Sequence, residues 1–89
     1  NVSQLEILRY AVGGNYKPHV DASLTYPRRL SFIYLLNDNY EGGELHFPHI
    51  GKIELKPNRC IIWPSNFMYL HGVTPVTKGT RYSLVSWIN

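Results

Sequence analysis

Every apolar run in this chain is short, and each is bounded by a turn on at least one side. LEILRYAV ends at the glycine pair of GGNYKP, RLSFIYLLN ends at NDNYEGG, and RYSLVSWIN is preceded by TKGT. Between them lie the short runs HVDAS, ELHFP and LHGVTPV, and a paired stretch, IGKIELKPNRCIIWPS, with its own turn at Pro57-Asn58. An amphipathic helix needs an apolar stripe at three- and four-residue spacing sustained over about ten residues. No stretch supplies one. Short runs rich in β-branched and aromatic residues, separated by Gly, Pro and Asn turns, predict seven or eight strands in a small all-β sandwich or barrel.

Size limits how such a fold is stabilised. The chain has 89 residues, 44% hydrophobic and 17% charged, which is an ordinary globular mix for one domain. A domain this small buries about 60–65% of its unfolded surface, so a metal, a partner or more chain would add needed stability. The sequence opens at Asn1, and LEILRYAV already reads like the middle of a domain. The expectation is one domain over residues 1–89, trimmed from a larger protein. No apolar run approaches the roughly 20 residues of a membrane-spanning helix, and no secretory pattern opens the chain. Cys60 is the single cysteine, in the apolar run RCIIW; it cannot form an internal disulfide, and a buried, inert thiol is expected. A lone thiol and the absence of a signal pattern favour an intracellular setting. Nine Lys and Arg against six Asp and Glu give a net charge of +3. The cations are scattered, whereas nucleic-acid binding asks for a concentrated basic face.

Chemistry concentrates in a few residues. In HVD, His19 and Asp21 are two positions apart within a strand-like run, so both side chains project to one face while Val20 points away. An imidazole beside a carboxylate can be a hydrogen-bonded pair, a general-base pair or two arms of a metal site. His71, in YLHGVTPV on a late strand, adds a second imidazole. Two His and one Asp can cap one face of an octahedral Fe(II) and leave three positions open. A zinc hydrolase could use a similar set, but it usually needs a separate general base. Arg81 discriminates. It follows His71 by ten residues, is expected on the next strand, and shares a face there with Ser83. A guanidinium beside a metal with open positions suits a bidentate hold on a carboxylate, and so points to a chelating keto acid.

HVD, then EGGELHFP, then HGVTPVTKGTRYSLVSWI resemble the Fe(II)/2-oxoglutarate-dependent dioxygenases, in the prolyl 4-hydroxylase-like branch. The resemblance runs from LEILRY to Trp87, and its motifs are specific jointly: HxD, a distal His, and a basic residue ten positions later. It implies a double-stranded β-helix, or jelly roll, with the helices that usually brace the major sheet from the N-terminal side missing here. It makes residues 1–89 the catalytic core. It implies Fe(II) on His19, Asp21 and His71, and 2-oxoglutarate held at its far carboxylate by Arg81. Ser83 and Tyr10 match further co-substrate contacts, and Tyr16, Leu35 and Trp87 match the pocket wall. Leu35 and Leu45 stand where some relatives carry a Tyr or Thr for the co-substrate. O2 is the second substrate, and ascorbate a supporting reductant. Asp21 speaks against a halogenating variant, which needs that coordination position vacant.

The activity implied is hydroxylation of an unactivated C–H bond, with proline in a peptide or free as the default substrate, releasing succinate and CO2. Two other readings stand beside it. One is a metal-binding jelly-roll module, or a remnant, without turnover. The other is a nucleic-acid demethylase, against which Trp87 and the scattered charge both speak. His46 and His49 in LHFPH have a helical spacing on a strand and a Pro turn, so no second metal site is expected there. Arg28 and Arg29 are expected to flank the LSFIYLLN strand, with a grip on substrate as their alternative role. The loop ASLTYPRR carries no recognisable proline-binding code.

Overall fold

A computed structural model describes residues 5–22 and 28–89, apart from the Phe67 side chain. Ser23 to Pro27, most of the ASLTYPRR loop, lie outside the described residues. Among the described residues are ten strands and a single-turn 3-10 helix, η1, at Phe67–Tyr69. The strands are β1 (Glu6–Tyr10), β2 (Tyr16–His19), β3 (Leu30–Leu35), β4 (Glu41–Gly42), β5 (Leu45–Phe47), β6 (Gly51–Lys52), β7 (Cys60–Pro64), β8 (His71–Val73), β9 (Val76–Lys78) and β10 (Arg81–Ile88). All pairings are antiparallel. One four-stranded sheet runs β1-β10-β3-β7, a second runs β2-β8-β5-β6, and β4 and β9 form a small ribbon. The chain thus passes repeatedly from one large sheet to the other, which is the jelly-roll connectivity expected.

Alternation along the strands builds the interior. β3 buries Ser31, Ile33 and Leu35 and turns Leu30, Phe32 and Tyr34 outward, following the period of two. Ile33 meets Leu45, Phe47 and Trp63 in a core drawn from both sheets, with the Phe47 and Trp63 rings edge to face at 5.3 Å. The turn at Pro57-Asn58 forms as expected: Asn58 takes φ +65°, which Asn tolerates, and its side chain accepts a hydrogen bond from the Tyr34 hydroxyl at 2.7 Å.

Four sequence expectations need correction. The strands number ten because two expected turns are partly strand: β4 lies in NDNYEGG, and β9 runs into TKGT and pairs with it, so Arg81 is two strands beyond His71. The IELK stretch contributes no strand, since β6 stops at Lys52. β2 ends at His19, and Asp21 lies past the strand in a bend. Cys60 is exposed, because the register that turns Ile61 and Trp63 inward puts Cys60, opposite Tyr34, on the outer face.

β2 and β8 approach closely at Gly72. A Cβ there would lie 2.6 Å from the Tyr16 carbonyl oxygen and 3.0 Å from the Pro18 nitrogen, both backbone atoms of β2. Gly72→Ala therefore pushes β2 off β8. We expect a loss of about 1–3 kcal/mol, the usual cost of overpacking, read as a lower urea midpoint with an unchanged slope.

Candidate metal and anion site

His19 and His71 are register partners across β2 and β8, so the two imidazoles lie side by side, with ring centroids 4.3 Å apart. Each ring is oriented the same way. His19 Nδ1 is 2.9 Å from the Lys17 carbonyl oxygen, and His71 Nδ1 is 3.0 Å from that of Tyr69. A carbonyl only accepts, so Nδ1 carries a proton in both rings; the neutral ring leaves Nε2 a lone pair, whereas protonated His19 donates from Nε2 to Asp21. Tyr16 stacks on the His19 ring at 4.0 Å, and Trp63 meets His71 edge-on at 4.8 Å.

Asp21 completes the group. Although it has left the strand, its Oδ1 is 3.2 Å from His19 Nε2 and 3.5 Å from His71 Nε2. The three ligand atoms lie within 4.8 Å of one another. Its Oδ2 accepts a hydrogen bond from Ser31 Oγ at 2.5 Å, and the Trp87 indole also bonds the carboxylate. Burial alone would raise the Asp21 pKa, but the hydrogen bonds from His19, Ser31 and Trp87 and the field of His71 bring it down to about 2. Burial opposes the His19 imidazolium, yet the Asp21 carboxylate and the Lys17 carbonyl outweigh it and raise that pKa. At His71 burial dominates and the pKa is lowered. With both imidazoles neutral, two lone pairs and an anionic oxygen aimed at one point could hold a divalent cation.

The same cavity, about 290 Å³, is also lined by Arg81. Arg81 is 1% exposed. Its Nη1 donates to Ser83 Oγ at 3.1 Å, while Nε and Nη2 have no hydrogen-bond partner. No carboxylate among the described residues forms an ion pair with it. A buried, unpaired charge is costly, so this guanidinium is suited to an anion from outside the fold. The Tyr10 ring lies 5.5 Å from the guanidinium carbon. These orphaned donors and the His-Asp-His set fit a metal chelated by a dicarboxylate.

Of the residues expected from sequence, His19, Asp21, His71, Arg81, Ser83, Tyr10, Tyr16 and Trp87 all line this cavity. Leu35 does not: it is buried on the inner face of β3 at 1% exposure, and Leu45 is in the cavity wall instead. Arg28 precedes β3 as expected and stacks on Trp87, 3.6 Å from the ring centroid, at the cavity. Sequence reasoning missed Ser31 and Ser65, at 1% and 2% exposure. A hydroxyl at an inward position of the apolar run LSFIYLL was the available signal, because a buried hydroxyl calls for a partner.

A sequence model of the 2OG-Fe(II) oxygenase superfamily matches residues 5–89. A PKHD-type hydroxylase of Maricaulis maris is 34% identical, and one of Synechococcus sp. (strain CC9605) is 39% identical. Each alignment takes in 98% of this chain, which spans 42% of the length of either relative. Among solved structures, a viral collagen prolyl hydroxylase from Paramecium Bursaria Chlorella virus-1, in complex with 2OG, superposes with a TM-score of 0.83 at 25% identity. It matches 98% of this chain and 58% of its own. A Pseudomonas putida prolyl-4-hydroxylase superposes with a TM-score of 0.81 at 25% identity, over 96% of this chain and 50% of its own.

The depressed Asp21 pKa sets an acid limit on the metal-free fold. A group held below its unfolded value of 3.8 contributes stability above that pH, and the contribution disappears as pH falls through 3.8 towards 2. The amount is about 2 kcal/mol. Asp21→Asn should therefore flatten the loss of stability between pH 4 and pH 2, measured by denaturant unfolding at each pH. An unchanged acid limb would show that Asp21 is not the group responsible.

Proposed function

The chain belongs to the 2OG-Fe(II) oxygenase superfamily, and on that premise we propose that it is the catalytic core, over residues 1–89, of an Fe(II)- and 2-oxoglutarate-dependent hydroxylase. The observation that carries this reading is one cavity holding both a His-Asp-His group and a buried guanidinium with two free donors. Neither half alone would suffice. Such a metal group without Arg81 suits many metals, and Arg81 without the metal group suits any small anion.

The residues take distinct parts. His19, Asp21 and His71 would hold the iron. Arg81, steadied by Ser83, holds the far carboxylate of 2-oxoglutarate, and Tyr10 stands beside that carboxylate's site. When bound, the iron supplies the oxidative chemistry that couples decarboxylation of 2-oxoglutarate by O2 to insertion of one oxygen atom into a C–H bond, with succinate and CO2 as co-products. The protein contributes position, charge and exclusion of water: the inner faces of both sheets wall the cavity, and the low dielectric there strengthens each ionic contact.

Prolyl residues in a peptide, or free proline, are the substrate this reading favours. It is supported by the relatives named as PKHD-type hydroxylases and by the prolyl hydroxylases of similar structure. Arg28, stacked on Trp87 at the cavity, is a candidate to grip the substrate.

An anaerobic titration with Fe(II) and then 2-oxoglutarate tests this. A chelated keto acid gives a weak visible charge-transfer band. We expect the band in the wild-type protein and its absence in His71→Ala. Arg81→Ala should need about 30- to 1,000-fold more 2-oxoglutarate, the effect of removing one partner of a buried charge pair. In air, succinate should form with a proline-containing peptide. A folded wild-type sample with no band would overturn the reading, and a band without succinate would leave a metal-binding module.

A further inference from the structure

We propose that Ser31 and Ser65 form a two-hydroxyl relay that engages the far oxygen of Asp21, so that its carboxylate presents a single oxygen to the metal. The inference rests on the reading of His19, Asp21 and His71 as metal ligands. It assigns positioning roles to two residues outside the ligand set and fixes the direction of the hydrogen bonds that join them.

The direction follows from counting protons. A carboxylate oxygen only accepts, so Ser31 Oγ donates its one proton to Asp21 Oδ2. Ser31 Oγ is also 2.7 Å from Ser65 Oγ. With its proton committed, Ser31 must accept there, and Ser65 must donate. The chain therefore runs Ser65 to Ser31 to Asp21, each bond polarising the next in a setting closed to water, both serines being at most 2% exposed.

The relay matters because a carboxylate has two ways to bind a metal. With both oxygens it takes two coordination positions; with one it takes a single position. A metal that must also accept a bidentate keto acid and a further ligand cannot give up a second position to Asp21. In this site Oδ1 faces both Nε2 atoms while Oδ2 is held by Ser31. The relay thus sets the coordination number by keeping Oδ2 occupied.

Ser65 is also anchored through its backbone. Its N–H donates to the Arg29 carbonyl at 2.9 Å, and its own carbonyl accepts from the Ala22 N–H at 3.0 Å. One residue therefore joins the chain just after Asp21 to the chain just before β3, and its side chain is linked to the carboxylate through Ser31. Asp21, which has no strand to fix it, is positioned by this node.

The test uses Co(II) in place of iron, because its visible d–d bands strengthen and shift as the coordination number changes, and no turnover is required. Ser31→Ala should weaken Co(II) binding about tenfold or more, the usual effect of removing a group that orients a ligand, and should change the d–d spectrum. Ser31→Thr, which keeps the hydroxyl, should restore both. Ser65→Ala should change the spectrum in the same sense, with a smaller loss of affinity. If Ser31→Ala does not fold, Ser65→Ala decides the matter, being one bond removed from the ligand. Wild-type affinity and spectrum in the folded serine variants would overturn the relay alone. Failure of the wild-type protein to take up Co(II) would overturn the metal reading and the relay with it.

Discussion

The pairing of β2 with β8 is the constraint on which the site depends. It places His19 directly opposite His71, and the absence of a side chain at Gly72 lets the two backbones come together. Backbone carbonyls two residues before each His then fix the ring tautomers. The ligand geometry is thus written largely into main-chain contacts, which hold their positions better than long side chains do. β2 is an edge strand of only four residues, so its attachment is short and every bond in it counts.

Charge explains why the interior is built as it is. A small β-sandwich would ordinarily fill the space between its sheets with aliphatic side chains. This one places an ionised Asp21, two imidazoles and a guanidinium there. The guanidinium and the carboxylate do not pair with each other; each lacks a full counter-charge from the protein. An anion at the guanidinium and a cation at the carboxylate would satisfy both, and a chelated metal–dicarboxylate unit carries both charges in one ligand. The cost of leaving Arg81 unpaired is thus the same feature that gives the cavity its affinity.

The chemistry was more legible in the sequence than the geometry. HxD, a distal His and an Arg ten residues later are residue types and spacings, and these read directly from HVD, His71 and Arg81. Strand existence was also readable, because alternation in RLSFIYLLN and RYSLVSWIN is strong. Boundaries were not. HVD alternates as a strand does, yet β2 stops at His19 because Asp21 is committed to Ser31 and the imidazoles rather than to a ladder. The β4–β9 ribbon was hidden because two- and three-residue strands carry no period. Cys60 was misread because an apolar run does not tell which of its faces is inward; that is decided by register against β3. Ser31 could be suspected as a hydroxyl at an inward position of an apolar run, but its partners Asp21 and Ser65, 10 and 34 residues away, could not be read from the sequence.

These points bear on how the fold is stabilised. The sheet β1-β10-β3-β7 presents Ile7 and Ile62 at 69% and 61% exposure, so its outer face contributes little burial within the described residues. Its inner face is partly spent on a polar cavity. The aliphatic and aromatic cluster of Ile33, Leu45, Phe47 and Trp63 therefore supports a site that is itself unfavourable when empty. Ligands that bind only the folded chain stabilise it in proportion to the logarithm of their concentration over Kd. Here they also remove the unpaired charge that opposes folding. A metal and an anion bound as proposed would therefore couple occupancy to folding, with His19 at the end of β2 among the residues they would tie down.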